Sequence, residues 1–254
     1  MNPIRRALIS VSDKTGLEEL CLFLAGSGIE ILSTGGTAET LRSLGFKVKD
    51  VSEETDFPEI LDGRVKTLHP KIHGGLLAIR NSESHQKALN ENAISPIDML
   101  VVNLYPFEEA VKKDASFKEC IENIDVGGPA LIRAAAKNYE FVTVVVNPED
   151  YREVIEEMKV EGGSTSPSFR EQLAARAFAR TGAYDAAISC WFNEKTNNFL
   201  PSTIAIGAEL KQLLRYGENP HQRAAFYTNQ DRRPGVASAI QIQGKELSYN
   251  NLND

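Results

Sequence analysis

The chain of 254 residues carries 28 Lys and Arg against 35 Asp and Glu, and 42% of its residues are hydrophobic. The net charge of −7 argues against nucleic acid as the main partner, because nucleic-acid-binding proteins present an excess of positive charge. No apolar stretch approaches the roughly 20 residues that a membrane span needs, and the N-terminus lacks the apolar core of a secretory signal. We therefore expect a cytoplasmic globular protein.

The three cysteines, Cys21, Cys120 and Cys190, are odd in number and widely spaced. This pattern fits neither a disulfide framework nor a metal knuckle. We expect reduced, buried thiols.

Apolar runs that suit buried strands alternate with segments of helical periodicity over most of the chain. The strand candidates are 7–11, 29–33, 46–51, 99–103 and 141–146. The helix candidates are 17–27, 38–44, 85–92, 129–138 and 150–159. Most of the strand candidates lack polar alternation, which is typical of strands covered on both faces. The pattern predicts an α/β fold with a doubly wound parallel sheet flanked by helices.

The character of the chain changes after the last of these helices. A polar break at 161–167 precedes an Ala- and Arg-rich stretch, 168 to about 192, which we interpret as one helix. Beyond 197 the chain has short apolar pieces and several proline and glycine residues. We therefore predict a first domain over 1–200 and an incomplete second domain over 201–254, whose end at 250–254 shows no obvious closing helix or strand.

Two short polar clusters follow predicted strands where helices begin. The first cluster, 10–16, contains Ser10, Ser12, Asp13 and Lys14, and the second is Ser33-Thr34-Gly35-Gly36-Thr37. Exposed N–H groups and the helix dipole favour negative charge at a helix start, so hydroxyl groups, glycine and lysine there suit an anion. The alternatives are that Ser12 or Asp13 simply caps the helix and that the glycines only form a tight turn.

The third cluster, Gly63-Arg64-Val65-Lys66-Thr67-Leu68-His69-Pro70, places two cations in a stretch that we expect to be non-helical. Arg64 suits bidentate contact with an anion, and Lys66 suits a point charge or proton transfer. His69 and His73 have the spacing of zinc ligands on a helix. Pro70 and the following glycines should interrupt such a helix, and no third ligand is evident, so we predict no metal.

The fourth and fifth clusters are Asn103-Leu104-Tyr105-Pro106-Phe107 and Asn123-Ile124-Asp125-Val126-Gly127-Gly128-Pro129. Tyr105 is either an aromatic at the edge of the core or a phenol aimed at a site. Asp125 precedes a helix start and could cap it, and Lys137 lies further along that helix, where an exposed lysine is the ordinary outcome. Parallel strands end at one shared edge, so the five clusters together predict a single pocket for acid–base chemistry on a phosphate-anchored small molecule.

In order and spacing, these clusters resemble the N-terminal part of the bifunctional purine biosynthesis family, which combines inosine monophosphate (IMP) cyclohydrolase with aminoimidazole carboxamide ribotide (AICAR) formyltransferase. The resemblance covers essentially the whole chain and includes Ala134-Ala135-Ala136-Lys137-Asn138. It implies a methylglyoxal-synthase-like domain followed by the start of a formyltransferase domain. The cyclohydrolase closes the purine ring of formyl-AICAR, releasing water and giving IMP.

The resemblance also implies catalytic roles. Lys137 would transfer the proton, and Lys66 would stabilise the oxyanion. Asp125 would orient the carboxamide nitrogen, with Tyr105 beside the reacting groups. Backbone N–H groups at Val126 to Gly128 would be further oxyanion donors.

Substrate-binding residues follow from the same resemblance. Asn103 and Leu104 would contact the base edge. The ribose phosphate would be surrounded by residues of the first three clusters: Ser10, Ser12, Asp13, Lys14, Thr34, Gly35, Gly36, Thr37, Arg64 and Thr67. In the second domain, Arg215 and Tyr216 match residues that contact AICAR.

For the cyclohydrolase, the resemblance implies a nucleotide substrate and neither a metal nor a redox cofactor. The full-length formyltransferase uses 10-formyltetrahydrofolate, but its catalytic Lys-His pair lies beyond residue 254, so we expect no formyl transfer here. The full-length family protein forms homodimers. Methylglyoxal synthase is a rival enzyme, which the third cluster and the formyltransferase-like tail disfavour. A non-catalytic nucleotide-binding regulatory domain is the other alternative, and it would need only the phosphate clusters.

Overall fold

The structure is a computed structural model that describes residues 3–229 and 234–253. It divides the chain into two units, Met1–Thr181 and Gly182–Asp254. The division falls inside the helix Pro167–Lys195, and the boundary near residue 200 stays a prediction.

Five parallel strands form the sheet of the first unit, in the order β3-β2-β1-β4-β5. The strands are β1 Arg6–Val11, β2 Glu30–Ser33, β3 Lys49–Asp50, β4 Met99–Asn103 and β5 Thr143–Val145. This confirms the predicted doubly wound parallel sheet. The strand order changes direction at β1, which pairs with β2 on one side and β4 on the other, and such a switch point is where open α/β sheets bind ligands.

Helices follow most strands and cover the apolar sheet. They are α1 Leu17–Gly26, α2 Gly35–Ser43, α3 Val51–Thr55, α4 Pro70–Leu77, α5 Glu83–Glu91, α6 Phe107–Lys112, α7 Phe117–Glu122, α8 Gly127–Lys137, α9 Tyr151–Val160 and α10 Pro167–Lys195. The strand interiors are buried, with Leu8, Ile9, Leu100 and Val144 fully inaccessible to solvent. No helix within the described residues is long and apolar enough to cross a membrane.

Residues 63–69 of the third cluster are non-helical, as predicted, and α4 begins at the last residue of the cluster, Pro70. The helix runs through Gly74 and Gly75, which corrects the expectation that these glycines interrupt it. Pro70 is the first residue of α4, where its missing N–H group costs no helical hydrogen bond. His69 caps the helix, because its Nδ1 accepts a hydrogen bond from the Lys71 N–H at 3.1 Å. Gly75 allows α4 to pack closely against the backbone at Ser95, since a Cβ at position 75 would lie 2.7 Å from the Ser95 carbonyl oxygen.

In the second unit, β6 Glu209–Leu213 pairs with β7 Ala225–Thr228 in antiparallel orientation. The helix α11 Tyr249–Asn253 corrects the expectation that 250–254 holds no helix, although residue 254 lies outside the described residues. The Asn251 side chain accepts hydrogen bonds from Ser248 N–H and Oγ at 3.1 and 2.9 Å, which fixes the helix start.

Candidate functional site at the carboxyl edge of the sheet

Two buried or half-buried side chains hold the loop that follows β1. Thr37 Oγ1 accepts from the Val11 N–H and donates to the Val11 carbonyl, both at 3.0 Å. Asn103 Oδ1 accepts from Ser12 N–H at 2.6 Å and Asp13 N–H at 2.9 Å, and its Nδ2 donates to the Asp13 carbonyl at 2.8 Å. Both side chains therefore shape the first cluster, and the ligand contacts predicted for them stay predictions.

The helix-capping alternative for the first cluster is wrong. Gly16 is the N-cap of α1, in a left-handed conformation and without a side-chain cap. Asp13 Oδ1 instead accepts hydrogen bonds from Thr15 Oγ1 at 2.7 Å and Thr15 N–H at 2.9 Å, and these bonds lower the pKa of Asp13. The loop presents Lys14 to solvent beside the helix start, an arrangement that suits an anion.

Lys66 of the third cluster lies against the second cluster. Its Nζ would be 3.1 Å from a Cβ added to Gly35, the first residue of α2. The same Nζ is 3.3 Å from Oε2 of Glu59, whose Oε1 accepts a 2.5 Å hydrogen bond from the Thr34 hydroxyl. Sequence reasoning missed Glu59, and an acidic residue just across a Gly-containing turn from Lys66 was the signal that could have found it.

Asp125 of the fifth cluster binds backbone N–H groups of two segments. It accepts from Gly128 N–H at 2.8 Å, in the first turn of α8, and also from Tyr105 N–H. Burial raises the pKa of Asp125, while these two hydrogen bonds oppose the rise. Asp125 thus supports the helix start and is also a stronger base than an ordinary aspartate.

Contacts join all five clusters in a closed circuit at the carboxyl edge. A Cβ on Gly127 would lie 3.2 Å from Thr67 Oγ1, so the third cluster meets the start of α8. The Tyr105 N–H links the fourth cluster to Asp125 of the fifth. Thr37 and Asn103 join the first cluster to the second and to the fourth. The contacts of Glu59 with Thr34 and Lys66 join the second cluster to the third. These contacts bring the five clusters together at one edge of the sheet, and the single pocket stays a prediction.

Lys137 is not part of this circuit. It is the exposed last residue of α8, whereas the circuit includes the first turn of the same helix. At 1.5 Å per residue, the two ends are about 15 Å apart. Within one chain, this placement separates Lys137 from the circuit, and its proton-transfer role stays a prediction.

Arg64 and Tyr105 are both well exposed at the rim. The Arg64 guanidinium forms an ion pair with Glu122 of α7, so an anionic ligand would have to compete with that carboxylate. Residue Tyr105 is 48% exposed, which excludes a position inside the core. In the second unit, the Arg215 guanidinium lies 5.4 Å from the ring centroid of Tyr216.

A cavity of about 690 Å³ opens at the opposite, amino edge of the sheet. Its charges are largely engaged: Arg6 pairs with Glu30, and Arg170 donates to the carbonyls of Tyr139, Glu140 and Thr165. The volume of a cavity alone therefore does not identify the candidate functional site. We place the candidate site at the carboxyl edge because the acid–base groups and helix starts meet there.

In the part of the chain that the structure describes, no three His, Cys, Asp or Glu side chains are grouped as a metal site requires. The Nδ1 of His69 already accepts the capping hydrogen bond. Burial lowers the pKa of His73, which favours its neutral form.

Comparisons with known proteins identify the family of the chain. Residues 16–130 match the family model of the MGS-like domain, and residues 135–254 match that of the AICARFT/IMPCHase bienzyme. A solved chain titled "Crystal structure of ForH" has a TM-score of 0.63 and 36% identity, covering 74% of this chain and 98% of its own.

Two curated relatives are bifunctional purine biosynthesis proteins PurH. The protein of Rhodospirillum rubrum is 62% identical over 99% of this chain and 48% of its own length. The protein of Bradyrhizobium diazoefficiens is 61% identical over 99% of this chain and 47% of its own length. The chain spans about half the length of these relatives. It belongs to the AICARFT/IMPCHase bienzyme family, of which it carries an MGS-like domain and part of the bienzyme region.

Proposed function

We propose that this chain is an IMP cyclohydrolase, which closes the purine ring of formyl-AICAR and releases water. The observation that carries the proposal is the closed circuit of five clusters at the sheet's switch point, with a lysine and a half-buried aspartate in it. Folate-dependent formyl transfer and homodimer formation are proposed only for a full-length member of the family.

The phosphate of the substrate is assigned to the loops that start α1 and α2. Lys14 supplies a positive charge there, and the first turns of both helices supply backbone N–H groups and the positive end of the helix dipole. Anchoring the ribose phosphate on this side directs the imidazole substituents toward Lys66 and Asp125.

Ring closure requires the carboxamide nitrogen to attack the formyl carbon, which places negative charge on the formyl oxygen. Holding the two substituents in contact lowers the barrier by proximity. The Lys66 ammonium and the N–H groups that open α8 are donors for the developing oxyanion. Asp125, whose pKa burial raises, orients the nitrogen, accepts its proton and returns it to the oxygen. The resulting hydroxyl group leaves as water with the proton that the formamide nitrogen loses, and the ring C=N bond forms. We assign no step to Lys137.

The first experiment incubates the purified chain with formyl-AICAR, without folate, and follows the appearance of IMP. We expect turnover above the uncatalysed rate. Saturable IMP binding without turnover would favour the non-catalytic regulatory domain, and phosphate release from dihydroxyacetone phosphate would favour methylglyoxal synthase.

A pair of lysine variants tests the assignment of residues. Lys66→Met should lower kcat by about 10²–10³-fold, the usual effect of losing one oxyanion donor. Lys137→Ala should lower it less, because Lys137 lies at the far end of α8. A larger loss for Lys137→Ala would restore it as the proton-transfer residue.

A further inference from the structure

We propose that Glu59 is a positioning residue, which holds the Lys66 ammonium and the Thr34 hydroxyl in the arrangement that ring closure needs. This inference rests on the proposed cyclohydrolase function and adds a residue to it. Glu59 precedes the third cluster, and its charge is opposite to those of Lys14 and Arg64, which are predicted to bind the phosphate.

A short hairpin brings Glu59 and Lys66 together. Ile60 and Val65 form an antiparallel bridge, with N–H to carbonyl distances of 3.2 and 3.3 Å in the two directions. The next residues outward, Glu59 and Lys66, are therefore a cross-strand pair, the arrangement in which opposite charges attract.

The turn of this hairpin makes room for the lysine. Leu61, Asp62 and Gly63 all have left-handed backbone conformations, with φ of 55°, 54° and 82°. A Cβ added at Gly63 would lie 2.6 Å from Lys66 Cε, so the lysine side chain runs across this glycine. The path leads Nζ toward the start of α2 and the Glu59 carboxylate.

The two oxygens of the carboxylate serve different partners. Oε2 lies 3.3 Å from Lys66 Nζ, and Oε1 accepts the 2.5 Å hydrogen bond from Thr34. Thr34 is the N-cap residue of α2, yet its hydroxyl does not cap the helix and donates to Glu59 instead. One carboxylate thus connects the oxyanion donor to the phosphate loop.

A purely stabilising role explains this pair poorly. The side chains of Lys66 and Glu59 are 26% and 38% exposed, and ion pairs that remain in contact with water add little to folding stability. Fixing a flexible lysine side chain has a direct catalytic use, because a small misplacement of a reacting group costs much of the rate.

The closing experiment compares formyl-AICAR cyclisation by the wild-type chain with that by Glu59→Gln. The amide oxygen still accepts the Thr34 hydrogen bond but has no charge for Lys66. We expect kcat to fall by up to about 100-fold, with KM nearly unchanged, and Glu59→Asp to recover part of kcat. Thr34→Val should mainly raise KM. An unchanged kcat in Glu59→Gln would overturn the proposal.

Glu91→Gln is the matched control. Glu91 also pairs with a lysine, Lys87, at 3.7 Å, but on the exposed surface of α5. Its loss should leave kcat and KM unchanged. Equal losses in the two variants would show that removing any lysine partner affects the rate, and would contradict a specific role for Glu59.

A double variant tests whether Glu59 acts through Lys66. In the Lys66→Met background, Glu59→Gln should cause no further loss of kcat, because the group that it positions is gone. Losses that multiply in the double variant would show independent action and overturn the proposal.

A spectroscopic measurement separates this inference from the function itself. Reductive methylation with ¹³C-formaldehyde labels lysine amines, and the Lys66 signal is identified by its absence in Lys66→Met. That signal should move in Glu59→Gln and stay in Glu91→Gln. If it does not move, the Glu59–Lys66 pair is refuted even in an active enzyme. A wild-type chain that makes no IMP would refute the proposed function instead.

Discussion

Asp125 combines two properties that usually oppose each other in an aspartate. It accepts backbone hydrogen bonds from Gly128 and Tyr105, which favour the charged form, yet burial raises its pKa. Ionisation of this carboxyl group therefore lowers the folding stability, and the carboxylate is a stronger base than that of an ordinary aspartate. A residue that only capped α8 would be expected to keep a low pKa, so the burial points to a chemical use.

The pH dependence of stability follows from this shift. The folded-state pKa of Asp125 lies above the ~3.9 of an unfolded aspartate, so stability contributed by the protonated form is present at low pH. It is lost as pH rises through the folded pKa. Relative to wild type, Asp125→Asn should therefore become more stable as pH increases from about 4, measured by urea unfolding across pH.

The same variant should lose cyclohydrolase activity, because an amide cannot accept the proton. Asp185→Asn, at an exposed position of α10, provides the control, with activity and pH dependence as in wild type. A stability difference between Asp125→Asn and wild type that does not grow with pH would contradict the assignment of the raised pKa.

At the scale of elements, α8 connects the site to the opposite edge of the sheet. Its first turn contacts Asp125, and Asn138 follows its last residue. The buried Asn138 Nδ2 donates to the carbonyls of Leu76 at 2.7 Å and Ala78 at 3.0 Å, at the end of α4. The motif that includes Lys137-Asn138 therefore ties two helix ends together.

Asn138→Ala should leave those two carbonyls without this partner. We expect a loss of about 1–3 kcal/mol in the free energy of unfolding, the usual cost of unsatisfied buried polar groups. Urea denaturation measures it, with kcat of the folded variant close to wild type.

Asn92→Ala is the comparison for this change. Asn92 is exposed and donates to the Ala88 carbonyl at the end of α5, so its loss should cost less. Equal stability of Asn138→Ala and wild type would contradict the structural role of Asn138.

At the scale of the whole molecule, the three free cysteines differ in accessibility. Cys21 and Cys120 are buried as expected, whereas Cys190 is exposed, which corrects the expectation of buried thiols throughout. Burial raises the pKa of Cys21 to about 12, so its thiolate is scarce at neutral pH.

Native protein should therefore react with Ellman's reagent at Cys190 alone, and all three thiols should react after unfolding in urea. Cys190→Ser is the control and should abolish the fast native reaction. A second thiol that reacts in the native Cys190→Ser variant would contradict the burial of Cys21 and Cys120.

Much of the architecture was predictable because it depends on local patterns. The strand candidates 7–11 and 99–103 were confirmed within one residue, since apolar runs of that length have few other uses in a soluble α/β protein. Five short helices, α3, α4, α6, α7 and α11, were not predicted. In α4, proline and glycine obscured the pattern, because their effect depends on position in the helix and on close packing with Ser95.

The sequence by itself determined the sheet, the clusters at its carboxyl edge and the family resemblance, because periodicity and motif order are properties of the chain. Tertiary structure alone decided the partner of each side chain. It directed Asn103 and Thr37 to the loop after β1, brought the Thr34 hydroxyl to Glu59, and placed Thr67 against the start of α8. Such outcomes depend on distances between segments far apart in sequence, which local pattern does not encode.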